Sequence, residues 1–203
     1  LGQDRPRSRP CSRSRSTTCV GDVRCMADPV DGTEIIIVRH GQTHWNLEGR
    51  IQGSGDSPLT KDGMASARKL GARLAGSAMR RPITCIYSSP IGRAKGTADI
   101  ISRCFPRSIE VILEAGLRER SFGCLEGLTA AEQSERYPEV HARNKRREEE
   151  YACPGGGESR ADVRMRAAAA LRSIALRHPG ERVLVVTPSE PPTLAPNGKT
   201  YFT

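Results

Sequence analysis

An arginine followed directly by a histidine is the feature of the sequence with the clearest chemical potential. Arg39 and His40 come immediately after the apolar run 34–38 and are followed by Gly41. A guanidinium binds oxyanions through directed hydrogen bonds, an imidazole can act as a nucleophile, and glycine lets the backbone approach a ligand closely. The three residues together predict an anion site with a reactive group at the end of a strand.

Further polar residues lie where they could complete that site. Asn46 follows shortly after His40, the pair Gln52 and Gly53 comes next, and Arg93 falls in the first turn of a predicted helix. Two guanidiniums, backbone amides and a helix N-terminus around one imidazole suit a phosphate group. We therefore predict a phosphate pocket that includes Arg39 and Arg93.

One carboxylate is placed to take part in proton transfer. Glu119 lies in the loop after the third apolar run, between Arg118 and Arg120. A carboxyl group beside a phosphate pocket is a candidate proton donor to a leaving group. A simple ion pair with one of its arginine neighbours is the alternative interpretation.

The elements that would position these residues alternate between strand and helix patterns. Four short β-branched runs predict buried strands at 34–38, 83–87, 109–113 and 182–187. Helical patterns follow capping residues at Thr60, Ser89, Thr129 and Ser159. This alternation predicts an α/β fold with a mostly parallel sheet and helices on both faces. Ligands bind such sheets beyond the carboxyl ends of the strands, where Arg39 and His40 fall.

The order and spacing of the motifs resemble the histidine phosphatase superfamily, the phosphoglycerate mutase-like family. The matching segments are 39–43, Asn46, 52–53, 56–60, 88–89, 93–94, 97–98, 117–119, 122–123, 126–127 and 156–159. The resemblance extends over residues 34–187 and implies a three-layer sandwich. Within the family, the pattern of this chain is similar to that of the short phosphatases. The true mutases carry a longer insertion between the segment that matches Glu119 and the Gly-Glu-Ser motif, and the spacing in this chain leaves no room for it.

The resemblance also implies a mechanism and a set of roles. His40 would attack phosphorus and form a phosphohistidine, and Glu119 would protonate the leaving group. The substrate-binding residues would be Arg39, Asn46, Gln52, Gly53 and Arg93. The implied substrate is a small-molecule phosphate ester, with no metal and no cofactor.

The chain departs from the family pattern after Thr187. In the family this strand runs into a second catalytic His followed by Gly, whereas Pro188 follows here and four prolines lie in residues 188–203. We expect a phosphatase domain at 26–187 without the C-terminal part of the fold, and a non-homologous Pro-rich tail at 188–203. A retained intron or a misplaced exon boundary would explain this change of sequence. Transcripts that encode only the present sequence across Thr187 would refute that explanation.

A large share of the net charge of +9, a local balance of +4, lies in the first 25 residues of the 203-residue chain. Six arginines against two aspartates lie in residues 1–25, a segment rich in Ser and without hydrophobic periodicity. Such a segment buries too little apolar surface to fold, so we predict a disordered leader. It could be sequence upstream of a natural start at Met26, a plastid transit peptide, or an RNA-binding tail.

Composition narrows the remaining possibilities. Seven cysteines without a C-x-x-C pair favour a reducing compartment over a disulfide scaffold or metal knuckle. No apolar run approaches the roughly 20 residues of a membrane span. We expect a cytoplasmic protein, or a plastid one if the leader is a transit peptide. The oligomeric state is left open.

The sequence is compatible with four functions. A phosphomonoester hydrolase acting through His40 is the favoured one, impaired to the extent that the second His is needed. The alternatives are an inactive relative that binds phosphate esters, a phosphoglycerate mutase proper, and an RNA-associated protein acting through residues 1–25. Phosphorylated sugars, glycerates and nucleotides all remain open as substrates.

Overall fold

The computed structural model describes residues 32–76 and 82–188, together with the backbone of 23–26. The strands are β1 (Val23–Met26), β2 (Glu34–Arg39), β3 (Cys85–Ser88), β4 (Val111–Leu113) and β5 (Arg182–Thr187). The helices are α1 (His44–Glu48), α2 (Lys61–Ala75), α3 (Gly92–Ser102), α4 (Ala130–Arg136), α5 (Pro138–Lys145) and α6 (Arg160–Arg177). Two short 3₁₀ turns, Ala115–Leu117 and Gly123–Leu125, lie between β4 and α4.

The strands form one sheet in the order β1-β2-β5-β3-β4. β2, β5, β3 and β4 are parallel, and β1 pairs with β2 in the antiparallel direction. β5 comes last in the sequence of described strands but lies between β2 and β3. The carboxyl ends of β2 and β5 therefore lie side by side, with Arg39 opposite Thr187.

Helices cover both faces of the sheet, as the sequence predicts. Alternate side chains of β2 and β5 point to opposite faces, which is the two-residue period of a strand. One face packs against α2 and α3 through a cluster that includes Ile36, Val38, Leu74, Ile86, Ile101, Leu184 and Val186. The other packs against α6 through Ile37, Tyr87, Leu171, Ile174, Val183 and Val185, among others. The α/β fold with a mostly parallel, doubly covered sheet is thus confirmed, but the prediction of a buried strand at 109–113 is wrong, because β4 lies at the sheet edge with Ile112 and Leu113 exposed.

Three of the four predicted helix caps are correct. Thr60, Thr129 and Ser159 each accept a hydrogen bond from a backbone N–H in the first turn of the helix that follows. Ser89 is wrong as a cap, because α3 begins only at Gly92 and its N-cap residue, Ile91, makes no side-chain cap. The Asp56 carboxylate accepts from the backbone N–H of Arg93 instead, at 3.1 Å. A long-range side chain thus replaces the local cap.

Only a small part of each predicted terminal segment, 1–25 and 188–203, lies within the described residues. The disordered leader was expected to reach residue 25, but the backbone of 23–25 already belongs to β1, paired with β2. Residues 1–22 and 189–203 lie outside the described residues, so the rest of the leader and most of the Pro-rich tail stay predictions. Within the described part of the chain, every helix is too short or too polar to cross a membrane.

Candidate active site

The predicted site lies where three strand ends meet. The backbone N–H of His40 donates to the carbonyl of Thr187 at 3.0 Å, and that of Ser89 donates to the carbonyl of Val186 at 3.0 Å. These bonds fix the residues just beyond β2 and β3 against the end of β5. Because β5 lies between the two strands, the loops that leave β2 and β3 begin on either side of its carboxyl end, and this edge is where ligands bind in open α/β sheets.

His40 is held as an uncharged imidazole with one nitrogen available. The side chain is only 8% exposed, and its Nδ1 lies 2.6 Å from the carbonyl oxygen of Gly41. That acceptor requires the proton on Nδ1 and leaves the Nε2 lone pair free. The pKa of His40 is lowered to about 4, chiefly by burial and also by Arg93 and Arg39, against the opposing effects of the Gly41 bond and Asp56. The residue can therefore act as a nucleophile at neutral pH.

Gly41 lets the chain turn away from His40 at close quarters. A Cβ atom on Gly41 would lie 2.7 Å from the carbonyl oxygen of Gly63 in α2, closer than packed atoms allow. The Gly41 N–H donates to Thr97 Oγ1 at 3.0 Å, and this hydroxyl in turn donates to the carbonyl of Arg93. The backbone around His40 is thus fixed to α2 and α3 together.

The Arg93 guanidinium is buried and holds a loop as well as facing the site. Its Nη1 donates to the carbonyl of Gly55 at 2.7 Å, and its Nη2 donates to that of Gly53 at 2.9 Å. Asp56 lies 3.4 Å from Nη1, and Glu119 lies 3.9 Å from Nη2. Burial lowers the pKa of Arg93, which Glu119 and Asp56 oppose, and a guanidinium remains charged across the physiological range. Its Nε is buried and has no hydrogen-bond partner.

Arg39 and Asn46 present groups that the protein leaves available. Arg39 is exposed at the end of β2, and no other described residue forms a hydrogen bond or ion pair with its side chain. Asn46 uses its Oδ1 to accept from the N–H and Oγ1 of Thr43 at 3.0 and 2.9 Å, in a capping box that begins α1. Its amide NH₂ is left to donate to a ligand.

The predicted pair Gln52 and Gly53 divides into two roles. Gln52 is buried, and its Oε1 has no hydrogen-bond partner, so the side chain retains an unused polar atom near the loop. Gly53 adopts a left-handed φ of 57° and presents its carbonyl to Arg93. The structure thus shows Gly53 as a backbone support for the Arg93 side chain, which sequence reasoning had placed only as a ligand contact.

Glu119 reaches the same edge of the sheet from the loop after β4. Its Oε1 accepts from the backbone N–H of Arg120 at 2.8 Å, and its Oε2 is the oxygen that faces Arg93. The side chain is 12% exposed, so solvent or a ligand can reach it. The alternative of an ion pair with Arg118 or Arg120 is wrong, since the only cation that pairs with Glu119 among the described residues is Arg93.

Arg166 in α6 holds the loop that carries Glu119, and sequence reasoning missed it. Its Nη1 donates to the carbonyls of Gly116 and Arg118 at 3.0 and 2.6 Å, and its Nη2 donates to that of Glu119 at 2.9 Å. The Glu158 carboxylate holds the same guanidinium at 3.0 and 2.8 Å. Glu158 falls in the recognised 156–159 motif, but no local pattern distinguishes Arg166 from other polar residues of α6.

The position after Thr187 has no polar side chain. Pro188 is buried there, directly after the residue whose carbonyl accepts from His40. Among the other described histidines, His178 lies before β5 and bonds Tyr87 and Glu181, while His141 in α5 bonds Gln133. His44 is exposed at the start of α1. On the described residues, His40 is the only imidazole at the carboxyl ends of β2 and β5.

Comparisons with known proteins agree with this geometry. Residues 35–191 match the family model described as the histidine phosphatase superfamily, branch 1. The chain is 43% identical over 157 residues to a metal-independent phosphoserine phosphatase of Arabidopsis thaliana, covering 76% of this chain and 63% of that protein. The chain therefore spans just under two thirds of that relative's length.

Solved structures share the fold at similar levels of identity. Bacillus stearothermophilus YhfR is 39% identical with a TM-score of 0.68, over 76% of this chain and 73% of that one. A mycobacterial glucosyl-3-phosphoglycerate phosphatase, Rv2419c, is 31% identical with a TM-score of 0.63, over 74% and 73% of the two chains. The family match covers more than half of the residues and includes every strand of the parallel sheet. The chain thus belongs to the histidine phosphatase superfamily, branch 1.

Proposed function

We propose that this chain is a phosphomonoester hydrolase that works through a phosphohistidine at His40. The observation that carries the proposal is the uncharged, buried imidazole beside two guanidiniums, with Nδ1 bonded to Gly41 and Nε2 free. An uncharged nitrogen can attack phosphorus, while Arg39 and Arg93 offset the charge that the phosphoryl oxygens carry. The named phosphatases among the similar proteins support the same reaction class.

The reaction divides into two displacements at phosphorus. In the first, His40 Nε2 forms a bond to phosphorus as the ester P–O bond breaks, and Glu119 gives its proton to the departing alkoxide. In the second, the Glu119 carboxylate takes a proton from water, which attacks phosphorus as the P–N bond breaks. Inorganic phosphate leaves, and His40 and Glu119 return to their starting states. These steps balance without a metal or a cofactor. That the reaction uses neither stays a prediction.

The proposed binding residues would contact the phosphate group from two sides. Arg39 and the Asn46 amide would contact the phosphoryl oxygens from the exposed side, and Arg93 would contact them from the buried side. Gln52 and Gly53 would shape the loop between them. Small-molecule phosphate esters are the substrate class. Phosphoserine and 3-phosphoglycerate are the first to test, because the named phosphatases act on phosphoserine and on glucosyl-3-phosphoglycerate, which contains the second.

A second function has its own support. Pro188 stands where the family resemblance expects the second His, which favours a relative that binds phosphate esters without hydrolysing them. Removing one preorganised donor typically lowers a rate by roughly 100- to 1000-fold. Mutase activity is the weaker alternative. The compartment, cytoplasm or plastid, and RNA binding through residues 1–25 stay predictions.

The deciding test is steady-state hydrolysis of p-nitrophenyl phosphate, phosphoserine and 3-phosphoglycerate by the full chain, beside His40→Ala. Activity above the variant supports the hydrolase, and an acid-labile phosphoryl group on the wild-type chain alone locates the intermediate. Activity equal to that of the variant, in a folded chain that binds phosphate, supports the inactive relative. Conversion of 3-phosphoglycerate to 2-phosphoglycerate without net phosphate release would support the mutase.

A further inference from the structure

The Glu126 carboxylate lies between two loops of the candidate site. Its Oε1 accepts from the backbone N–H groups of Ser54 and Phe122 at 2.9 and 2.8 Å, and from Ser121 Oγ at 3.2 Å. Its Oε2 accepts from Ser54 Oγ at 2.6 Å. Among the described residues, every hydrogen-bond partner of this side chain therefore belongs to one loop or the other. A single carboxylate joins segments more than 60 residues apart in the sequence.

On one side, Glu126 supports the segment that orients Arg93. Gly53 packs directly against the carboxylate, since a Cβ atom on it would lie 2.2 Å from Glu126 Oε1. The carbonyl of the same Gly53 accepts from Arg93 Nη2 at 2.9 Å. The bonds from Ser54 to Glu126 thus hold in place the backbone that holds the buried guanidinium.

On the other side, Glu126 supports the loop that carries Glu119. Ser121 and Phe122 follow Glu119 by two and three residues, and both donate to the Glu126 carboxylate. The Arg166 guanidinium holds the same loop at the carbonyl of Glu119 itself. Glu126 and Arg166 therefore fix this loop from its two ends.

The ionised form of Glu126 is the one that these contacts favour. Burial alone would raise the pKa of Glu126, but the hydrogen bonds from Ser54, Phe122 and Ser121 outweigh that effect and lower it. A carboxylate that accepts several hydrogen bonds from N–H and O–H donors stays charged and rigidly held. The bridge is thus present throughout the neutral pH range.

We propose that Glu126 is a positioning residue for phosphoryl transfer, which fixes the distance between the Arg93 guanidinium and the Glu119 carboxylate. The proposal rests on the proposed phosphatase function and deepens it. Glu119 Oε2 lies 3.9 Å from Arg93 Nη2, close enough for the two groups to act on neighbouring oxygens of one phosphate ester: Arg93 on the transferring group and Glu119 on the leaving oxygen. A shift of one loop against the other would misplace the proton donor relative to phosphorus.

Three variants test this role. Glu126→Ala removes the bridge, and Glu126→Gln keeps an oxygen that can accept from the N–H groups of Ser54 and Phe122. Glu132→Ala is the matched control, because Glu132 also accepts from a backbone N–H and a side chain, Thr129 and Arg50, but at the start of α4. We expect Glu126→Ala to lower kcat by up to about 100-fold, Glu126→Gln to restore most of it, and Glu132→Ala to leave it within about twofold.

Binding of inorganic phosphate, measured by calorimetry on the same variants, separates this proposal from the function it rests on. We expect Glu126→Ala to weaken phosphate binding by about fivefold or more, even if no ester is hydrolysed, because Arg93 loses its support. Wild-type binding without hydrolysis would overturn the hydrolase and leave the positioning role testable. A folded Glu126→Ala with affinity and kcat both within about twofold of wild type overturns the proposal. So does an equal loss in Glu132→Ala, and a wild-type chain that neither binds phosphate nor hydrolyses esters overturns both.

Discussion

The Nδ1 atom of His40 lies 2.6 Å from the carbonyl oxygen of Gly41, the next residue in the chain. This bond selects the tautomer with a free Nε2, while burial lowers the pKa of His40 from 6.5 to about 4. The imidazole attacks only when deprotonated, so the fraction of competent enzyme rises as pH rises through the pKa of the folded state. The candidate nucleophile is thus fully available well below neutral pH.

We therefore expect the pH profile of kcat/KM to have an ascending limb, due to deprotonation of His40, near pH 4 rather than near pH 6.5. Hydrolysis of p-nitrophenyl phosphate would be measured from pH 3.5 to 8 and corrected for the second ionisation of the ester phosphate, which lies at about 6 or below. After that correction the profile should be flat from about pH 5.5 to 7.5. An ascending limb at 6 to 7 would contradict the buried, uncharged imidazole.

Arg93 serves stability as well as binding, so its loss should be felt in both. Arg93→Met leaves the carbonyls of Gly53 and Gly55 without their donors, and we expect the free energy of unfolding to fall by roughly 2–4 kcal/mol. Phosphate binding should weaken at least about tenfold. Urea unfolding and calorimetry measure the two effects. Lys95→Met in the same helix is the control, because Lys95 is exposed and, within the described part of the chain, forms an ion pair with Asp99 alone. Equal effects in both variants would refute the account.

A role for Glu119 in protonating the leaving group predicts a dependence on the leaving group itself. Glu119→Gln keeps the side-chain shape and its bond to the Arg120 N–H but has no proton to give. We expect kcat for phosphoserine, whose alkoxide needs a proton, to fall by roughly 100-fold or more. That for p-nitrophenyl phosphate, whose phenolate leaves unaided, should fall by less than about tenfold. Equal losses on both substrates would remove the proton-donor role.

The candidate site residues whose place in the fold can be predicted from the sequence are those that follow the ends of strands. Parallel strands bring their carboxyl ends to one edge of the sheet, so Arg39, His40 and Arg93 could be assigned to one site from their positions alone. Glu119 follows the same logic one strand further along. Buried β-branched runs and local caps sufficed for the α/β fold.

The residues that sequence reasoning missed act through contacts between segments that are far apart in the sequence. Arg166 serves the Glu119 loop from a helix that begins about 40 residues later, and Asp56 caps α3 in place of Ser89. In the sequence, Arg166 is one of several polar residues of an Ala-rich helix. Only the packing of α6 against the sheet brings it to those carbonyls.

The support that Arg166 gives can be tested with a neighbour on the same helix. Arg166→Met removes the hydrogen bonds to the carbonyls of Gly116, Arg118 and Glu119, and it removes the ion pair with Glu158, whose carboxylate keeps its bond from the Ser121 N–H. We expect kcat to fall about tenfold or more with a smaller change in KM, because the proton donor shifts while Arg93 stays. Arg164→Met is the control, since Glu149, at the surface, is the only described residue with which Arg164 forms an ion pair. A similar kcat in both variants would contradict the role.

The place of Pro188 beside the His40 backbone allows a gain of function to be tested. Position 188 follows the carbonyl that accepts from the His40 N–H, but proline offers no donor. Pro188→His would add an imidazole donor at the edge of the phosphate pocket. One preorganised donor is worth roughly 100- to 1000-fold in rate, so we expect kcat/KM for p-nitrophenyl phosphate to rise on the order of 100-fold.

Pro188→Ala is the control for that variant, because it changes the backbone restraint without adding a donor. The gain should also disappear when His40→Ala is combined with Pro188→His, since the donor stabilises charge on a phosphoryl group that His40 must attack. A folded Pro188→His that hydrolyses no faster than Pro188→Ala would show that position 188 does not reach the phosphoryl group. The wild-type rate would then be limited by something other than a missing donor at the end of β5.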